Sequence, residues 1–414
     1  MTRADRNVDV LLPGVVGGTG GAAVLMLELA TRLARRGLRP KIIVPDLQST
    51  RPYVERCLAH DIPAEQCRWL LPREARVGGF MDAARFLRRY RAPVVHYHLS
   101  ENVPNHLLLH AMDLLRPPRA FVTMHSPYEN PEPGAPITHR WAAAAPRHFH
   151  RVICVSERAR RLQIEYGVPE SLVQRIANGV DTSKVAAGDA ASARRALGAD
   201  GDARIILVVG RLALQKRPLD AVKAFVAVAS EFSGAQLVFI GSGALEDEVR
   251  RAASAAGVGN RVHLMGQRSD VADWLAASTA WFLPTETEGF SVAVIEALAA
   301  GCAVVSTDCP GNDEVLHDGE NALVVSVGDV PAMAEALRTL LSDTALRARL
   351  SAAGRLTAEA YTLERMVDAH VECYQTGRTS LPLEVDVADG WGRVGPETRK
   401  PLRKPESRTQ CDTQ

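Results

Sequence analysis

The chain has 414 residues, 46% of them apolar and 23% charged, and a formal net charge of +1. That length exceeds what one hydrophobic core organises, so two domains are expected, and the near-neutral balance gives no support for a nucleic-acid binder. Seven cysteines at irregular spacing (Cys57, Cys67, Cys154, Cys302, Cys309, Cys373 and Cys411) form no CxxC pair and no His/Cys cluster, which argues against a disulfide framework or a zinc site. The opening segment MTRADRNVDVLLPG lacks the apolar stretch of a secretory signal. No apolar run approaches the ~20 residues of a membrane-spanning helix. A cytoplasmic protein is the expectation.

Short β-branched runs alternate with amphipathic stretches along the chain. Strands are predicted at 8–12 (VDVLL), 41–45, 94–98 (VVHYH), 120–125 (AFVTMH) and 151–156. A second series follows at 204–210 (RIILVVG), 236–241, 261–266, 280–284 (AWFLP), 303–307 and 322–325. Continuous apolar strands separated by helices mark parallel sheets covered on both faces, so each series reads as a doubly wound, Rossmann-like α/β domain. The break falls in the small, polar segment 182–203, which holds one short helix at most and divides the chain into domains at 1–183 and 184–376. The last helix is predicted over about 357–375, packing back on the N-terminal domain. Residues 377–414 lack a periodic pattern and read as a disordered tail.

The first strand runs into PGVVGGTGGAAVLMLELA, a glycine loop followed by a helix. Glycines in such a turn let an anion approach backbone N–H groups at the helix N-terminus. Gly18-Thr19-Gly20 with Ala23 also fits the GxGxxA dinucleotide fingerprint, and Asp46 at the end of the second strand could serve a ribose, although its spacing is long. Chain reversal alone would need glycines too. Diphosphate binding, dinucleotide binding and plain geometry all stay open.

The second half carries more chemistry. Arg211 follows strand 204–210 and Lys216 lies just before the next helix, at the strand edge where open α/β sheets bind ligands. An Arg fork and a compact Lys charge could hold a diphosphate and stabilise it as it leaves. Equally, exposed cations are commonly just solvated. Pro284-Thr285-Glu286-Thr287-Glu288-Gly289-Phe290-Ser291 follows strand 280–284 and opens a helix ending near Gly301. Glu288 sits at that loop and Glu296 about two helical turns further along, a separation that on an α-helix places them roughly on one side, about 12 Å apart. One could take sugar hydroxyls and the other a ribose diol, which suits carboxylates as acceptors. As isolated glutamates, one would be a helix-end stabiliser and the other a solvated surface residue.

GRLALQK, followed by PTETEGFSVAVIEALAAGCAVVSTDCPGNDEVLHDGENALVV, closely resembles the donor domain of the family 4 retaining glycosyltransferases. ICVSERAR, IANGVD and MGQRSDVADWLAAS extend the resemblance over about residues 8–375. It implies the GT-B fold, two Rossmann-like domains facing a cleft. It implies transfer of a hexosyl group, with retention, from a nucleoside-diphosphate sugar of the UDP-glucose or UDP-N-acetylglucosamine type. The acceptor would be a hydroxyl in a glycan, a glycolipid or a secondary metabolite. Carried over residue by residue, Arg211 and Lys216 bind the diphosphate. Glu288 sits at the transferred sugar with the N–H groups of Gly289, Phe290 and Ser291. Glu296 holds the ribose, Gly20-Gly21 match the double glycine of the first domain, and His125 approaches the sugar. The nucleotide sugar is a co-substrate, and neither a cofactor nor a catalytic metal is implied. Ala23, Leu38, Ala303 and Pro310 depart from the pattern, which bears on the acceptor more than on the reaction.

Several other groups carry two readings. His96 and His98 share one face of a strand and could ligate a metal, but without an acidic partner a packed or cleft-lining role is preferred. Asp200-Gly201-Asp202 is a DxD placed between domains, away from a central strand. Phe80, Ala83, Ala84 and Leu87, among Arg85, Arg88, Arg89 and Arg91, form a basic amphipathic pattern that suits an anionic surface or an ordinary solvated helix, the latter favoured by the neutral net charge. The competing functions are a NAD(P)-dependent oxidoreductase, resting on the GxGxxA loop, and a non-catalytic sugar-nucleotide binder.

Overall fold

The computed structural model describes residues 8–15, 20–67, 70, 89–90, 92–99, 119–125, 133–199 and 203–377. Gly18, Thr19, the basic stretch from Phe80 to Arg88, Arg91, the DxD at 200–202 and the tail from 378 onward lie outside the described residues.

The first sheet holds β1 (Val10–Val15), β2 (Pro40–Pro45), β3 (Ala64–Cys67), β4 (Val94–Leu99), β5 (Arg119–Met124), β6 (Arg151–Cys154) and β7 (Val173–Arg175). Their order is β3-β2-β1-β4-β5-β6-β7, with every pairing parallel. The second holds β8 (Arg204–Val209), β9 (Ala235–Ile240), β10 (Val262–Leu264), β11 (Ala280–Leu283), β12 (Val304–Thr307) and β13 (Leu323–Val325). It runs β10-β9-β8-β11-β12-β13, also parallel. Both are doubly wound sheets in which strand order reverses beside the first strand, at β1/β4 and at β8/β11. Ligands of such sheets bind beyond the carboxyl ends of the strands at that reversal.

Burial follows strand alternation. Val10 and Leu12 join one core beneath the helix Gly21–Arg35, while Leu11 joins the core on the opposite face. In the second sheet Ile206 and Val208 face one core, and Ile205 and Leu207 the other. With both faces covered, the strands have no polar side to show, which is why their sequences are continuous apolar runs.

The chain crosses between the sheets twice, and the crossings lie side by side. Val180 and Thr362 form a parallel bridge, with Val180 N–H donating to the Tyr361 carbonyl at 2.9 Å and Leu363 N–H to the Val180 carbonyl at 2.9 Å. A Cβ at Gly179 would lie 2.5 Å from the Thr362 carbonyl oxygen, so only glycine fits. Beyond this bridge the helix Leu363–Thr376, capped by the Thr362 hydroxyl, returns to the first sheet. Leu363, Met366, Val367, Cys373 and Tyr374 make its buried stripe, in the same core as Val10 and the helix Gly21–Arg35.

Three expectations need correction. β3 and β7 were not predicted: β3 (AEQC) is a half-exposed edge without an apolar face, and β7 (VQR) is too short to show a period. The last helix begins at Leu363, because residues 357–358 end the preceding helix Thr344–Ala358 and 359–361 form a 3-10 turn. The described part of 182–203 holds two short helices where one was expected, Thr182–Ala186 and Ala190–Leu197, capped by the carboxylates of Asp181 and Asp189.

Candidate active site

The residues singled out in the sequence gather at the carboxyl ends of the central strands. Arg211 follows β8, and the segment 284–291 follows β11, the two strands that flank the reversal of the second sheet. Lys216 ends a 3-10 turn, Leu214–Lys216, and its stem lies over Gly210. Its Nζ forms an ion pair with Glu288 Oε1, and both side chains are largely enclosed. Arg211 is exposed and has no side-chain partner among the described residues.

The loop bearing Glu288 is tied on both sides. Glu286 N–H donates to the Gln215 carbonyl at 2.8 Å and the Thr285 hydroxyl to the same oxygen at 3.1 Å, which fastens the acidic loop to the Lys216 turn. From the other side Glu288 N–H donates to the Pro310 carbonyl at 3.0 Å. Gly311 has φ +92°, and a Cβ there would lie 2.2 Å from the Glu288 carbonyl oxygen. The Pro310-Gly311 turn thus fixes the backbone of Glu288. Glu288 is not helical: Ser291 is the N-cap of the helix Val292–Ala300, its hydroxyl accepting from Val294 N–H, and Gly301 closes that helix in the left-handed region. Glu288 thus lies in the loop, as expected, and Glu296 on the helix, so the figure of about 12 Å for a continuous helix does not apply to the pair.

Glu296 is half-buried. Burial pushes its carboxyl up to about 7; the attraction of Lys184 opposes this and the charge of Glu28 adds to it. Glu28 belongs to the helix Gly21–Arg35 of the first sheet, so the two halves of the chain bring acids near one another here. Gly20 is the N-cap of that helix, and Gly20 and Gly21 are both exposed, with open space beside Gly21. Val292, next to Ser291, packs against cores of both sheets.

His125 stands just past β5. Its N–H donates to the Leu99 carbonyl at 2.9 Å, and its Nε2 lies 3.0 Å from His98 Nδ1. Burial, with His370 adding, drives its pKa down to about 3, so the ring is neutral. His125 lines a narrow cavity with Asn178, whose Nδ2 donates to the Phe290 carbonyl at 3.4 Å. The first half of the chain thereby touches the acidic loop of the second. His96 and His98 are buried with ring centroids 4.3 Å apart, the packed arrangement.

Three anchoring residues were not singled out in the sequence. Gly311 and Glu314 were visible only inside a long matched motif, and Asn178 only inside IANGVD. Glu314 Oε1 accepts from Glu157 N–H at 2.7 Å, and its Oε2 lies 3.1 Å from Arg175, so this acid of the second half caps a helix of the first.

The sequence model of the glycosyltransferase family 4 matches residues 19–184, and that of the glycosyl transferases group 1 matches residues 189–357. The chain is a family 4 glycosyltransferase. A D-inositol 3-phosphate glycosyltransferase of Xylanimonas cellulosilytica is 29% identical over 89% of this chain and 94% of that protein. The lipopolysaccharide core biosynthesis glycosyltransferase LpsE of Rhizobium meliloti is 29% identical over 48% of this chain, and over just 56% of its own length. Among solved structures, Anabaena HepE in complex with UDP-glucose superposes with a TM-score of 0.76 at 17% identity, over 88% of this chain and 99% of that one, a likeness that shows the GT-B fold. Family membership takes the place of the oxidoreductase reading that the glycine loop had left open. No described helix is long and apolar enough to cross a membrane.

Proposed function

We propose that this glycosyltransferase transfers a hexosyl group, with net retention, from a UDP-sugar of the glucose or N-acetylglucosamine type to a hydroxyl of a glycan, glycolipid or secondary metabolite, and that it works in the cytoplasm. One observation carries the reading: the Lys216–Glu288 ion pair at the carboxyl ends of β8 and β11 joins a cation suited to the leaving diphosphate with an acid suited to the sugar. UDP-glucose bound to Anabaena HepE supports the donor class. The inositol phosphate and lipopolysaccharide relatives support an acceptor that is a polyol or glycan hydroxyl.

In this scheme Lys216 and Arg211 neutralise charge growing on the diphosphate, and the N–H groups around Gly20 and Gly21 approach it from the opposing domain. Glu288 and the N–H groups of Gly289, Phe290 and Ser291 hold the sugar, Glu296 accepts from the ribose hydroxyls, and His125 borders the sugar. The transition state is oxocarbenium-like, with the acceptor attacking on the face from which the phosphate departs. No residue is assigned as a covalent nucleophile. The positive charge comes from the two side chains, so turnover should survive EDTA.

Two measurements test the proposal. Lys216→Ala should slow UDP release from UDP-glucose by about a hundredfold or more in protein that still unfolds cooperatively, although leaving the enclosed Glu288 carboxylate without its partner should cost about 3 kcal/mol of stability. Full activity in that variant refutes the role of Lys216. NMR of the glucose first released from UDP-glucose should show the α anomer, and the β anomer overturns retention.

A further inference from the structure

Four histidines from three elements meet behind the acidic loop: His96 and His98 on β4, His125 past β5, and His370 on the C-terminal helix. Ring centroids lie 5.3 Å apart for His98 and His125, and 5.4 Å for His96 and His370. Burial keeps all four neutral. A neutral imidazole carries a single N–H, so its partners decide which nitrogen bears it.

The partners here lead to one assignment. His370 Nδ1 lies 2.7 Å from the Met366 carbonyl, which can only accept, so His370 carries its proton on Nδ1 and its Nε2 is bare. That Nε2 and His98 Nε2 are both buried without a partner among the described residues, and both rings line the narrow cavity beside His125. Two bare nitrogens there would leave two lone pairs unmet in an apolar enclosure, whereas an N–H on His98 Nε2 gives the enclosure one donor and one acceptor. With its proton on Nε2, His98 must accept at Nδ1, and the group 3.0 Å away is His125 Nε2. His125 then donates from Nε2 and keeps a bare Nδ1.

We propose that His98 is a positioning residue that holds His125 in the Nε2–H tautomer, so that His125 Nδ1 is an acceptor for a hydroxyl of the bound sugar. This rests on the reading that His125 borders the transferred sugar. The near-coplanar rings, 22° apart, fix orientation, and the shared proton fixes polarity: a donor-only or mixed-tautomer His125 would meet the same hydroxyl with the wrong partner.

The test uses the full chain with 15N-labelled histidine rings and no ligand. Wild-type His125 should show a protonated Nε2 and a bare Nδ1; a proton on Nδ1 overturns the proposal. His98→Phe keeps a ring but removes both nitrogens, and should release His125 into mixed tautomers. His98→Asn should restore the Nε2–H form, because its amide oxygen can replace Nδ1 as the acceptor. A His125 tautomer unchanged in His98→Phe also overturns the proposal, and if that variant does not fold, the wild-type spectrum decides. Turnover, read as UDP release from UDP-glucose, should fall about tenfold to a hundredfold in His98→Phe, with UDP affinity unchanged. A tautomer shift without that fall overturns the positioning role. Failure of the underlying reading has a separate signature: His125→Ala would leave UDP release unchanged, whatever the wild-type spectrum shows.

Discussion

Replacing Glu296 by Gln should make the protein more stable and a poorer binder of nucleotide. Burial, opposed by Lys184 and reinforced by Glu28, raises this carboxyl from an ordinary 4.5 to about 7. The sign follows from which state ionises first. Below pH 4.5 folded and unfolded chains both hold the proton, so the acid costs the fold nothing. Between 4.5 and about 7 the unfolded chain ionises while the folded one does not, and above about 7 the full cost of a half-buried charge is present. At 1.36 kcal/mol for each pH unit in that window the cost is about 3 kcal/mol, and partial exposure trims it toward about 2. Glu296→Gln removes the charge, so urea unfolding at pH 8 should show a gain of about 2–3 kcal/mol, most of which is gone at pH 5. The same variant should bind UDP about tenfold to a hundredfold more weakly, the worth of hydrogen bonds to a charged acceptor. Wild-type affinity should decline as pH falls through about 7, while the variant's stays flat. A variant no more stable than wild type at pH 8, or one with an equal gain at pH 5, refutes the reasoning.

Gly311→Ala places a Cβ against the Glu288 carbonyl in a left-handed backbone. It should lower stability by at least about 2 kcal/mol and cut UDP release, and melting curves with wild-type midpoints would contradict the role given to this turn. Arg32 is nearly buried, with side chains of Glu28, Asp181 and Glu364 around its guanidinium. Arg32→Ala should cost about 2–3 kcal/mol in urea unfolding, and Arg32→Lys should recover little because a compact ammonium lacks the planar fork whose Nε, Nη1 and Nη2 each meet a different acid. Recovery of wild-type stability by Lys would show that charge alone suffices.

The two sheets were legible because their central strands are buried on both faces, leaving an unbroken apolar run that needs no partner to be seen. β3 escaped because a half-exposed edge strand of Ala, Glu, Gln and Cys has neither an apolar run nor an alternation. The segment after Asp181 read as a small polar linker with one short helix, yet two aspartate caps make two helices of it. In the site, each charged residue was visible singly, but their pairing was not. Lys216 and Glu288 are 72 residues apart and meet only because β8 and β11 are neighbours. The helical separation of about 12 Å does not apply to Glu288 and Glu296 because Ser291, a strong N-cap three residues after Glu288, starts the helix. Glu314 could not have been found from local pattern, since the helix it caps lies 157 residues away, and His98 was noticed on its strand without its contact to His125, 27 residues away.

The return of the C-terminal helix to the first sheet has a consequence for synthesis on the ribosome. Leu363, Met366, Val367, Cys373 and Tyr374 complete a core whose other members, from Val10 to Ile176, leave the exit tunnel much earlier. The N-terminal half must therefore wait, with an apolar surface open to water, while the whole second sheet is made. Chains stalled or cleaved before residue 363 should attract chaperones and aggregate through that uncovered surface, even though every strand of both sheets is already present.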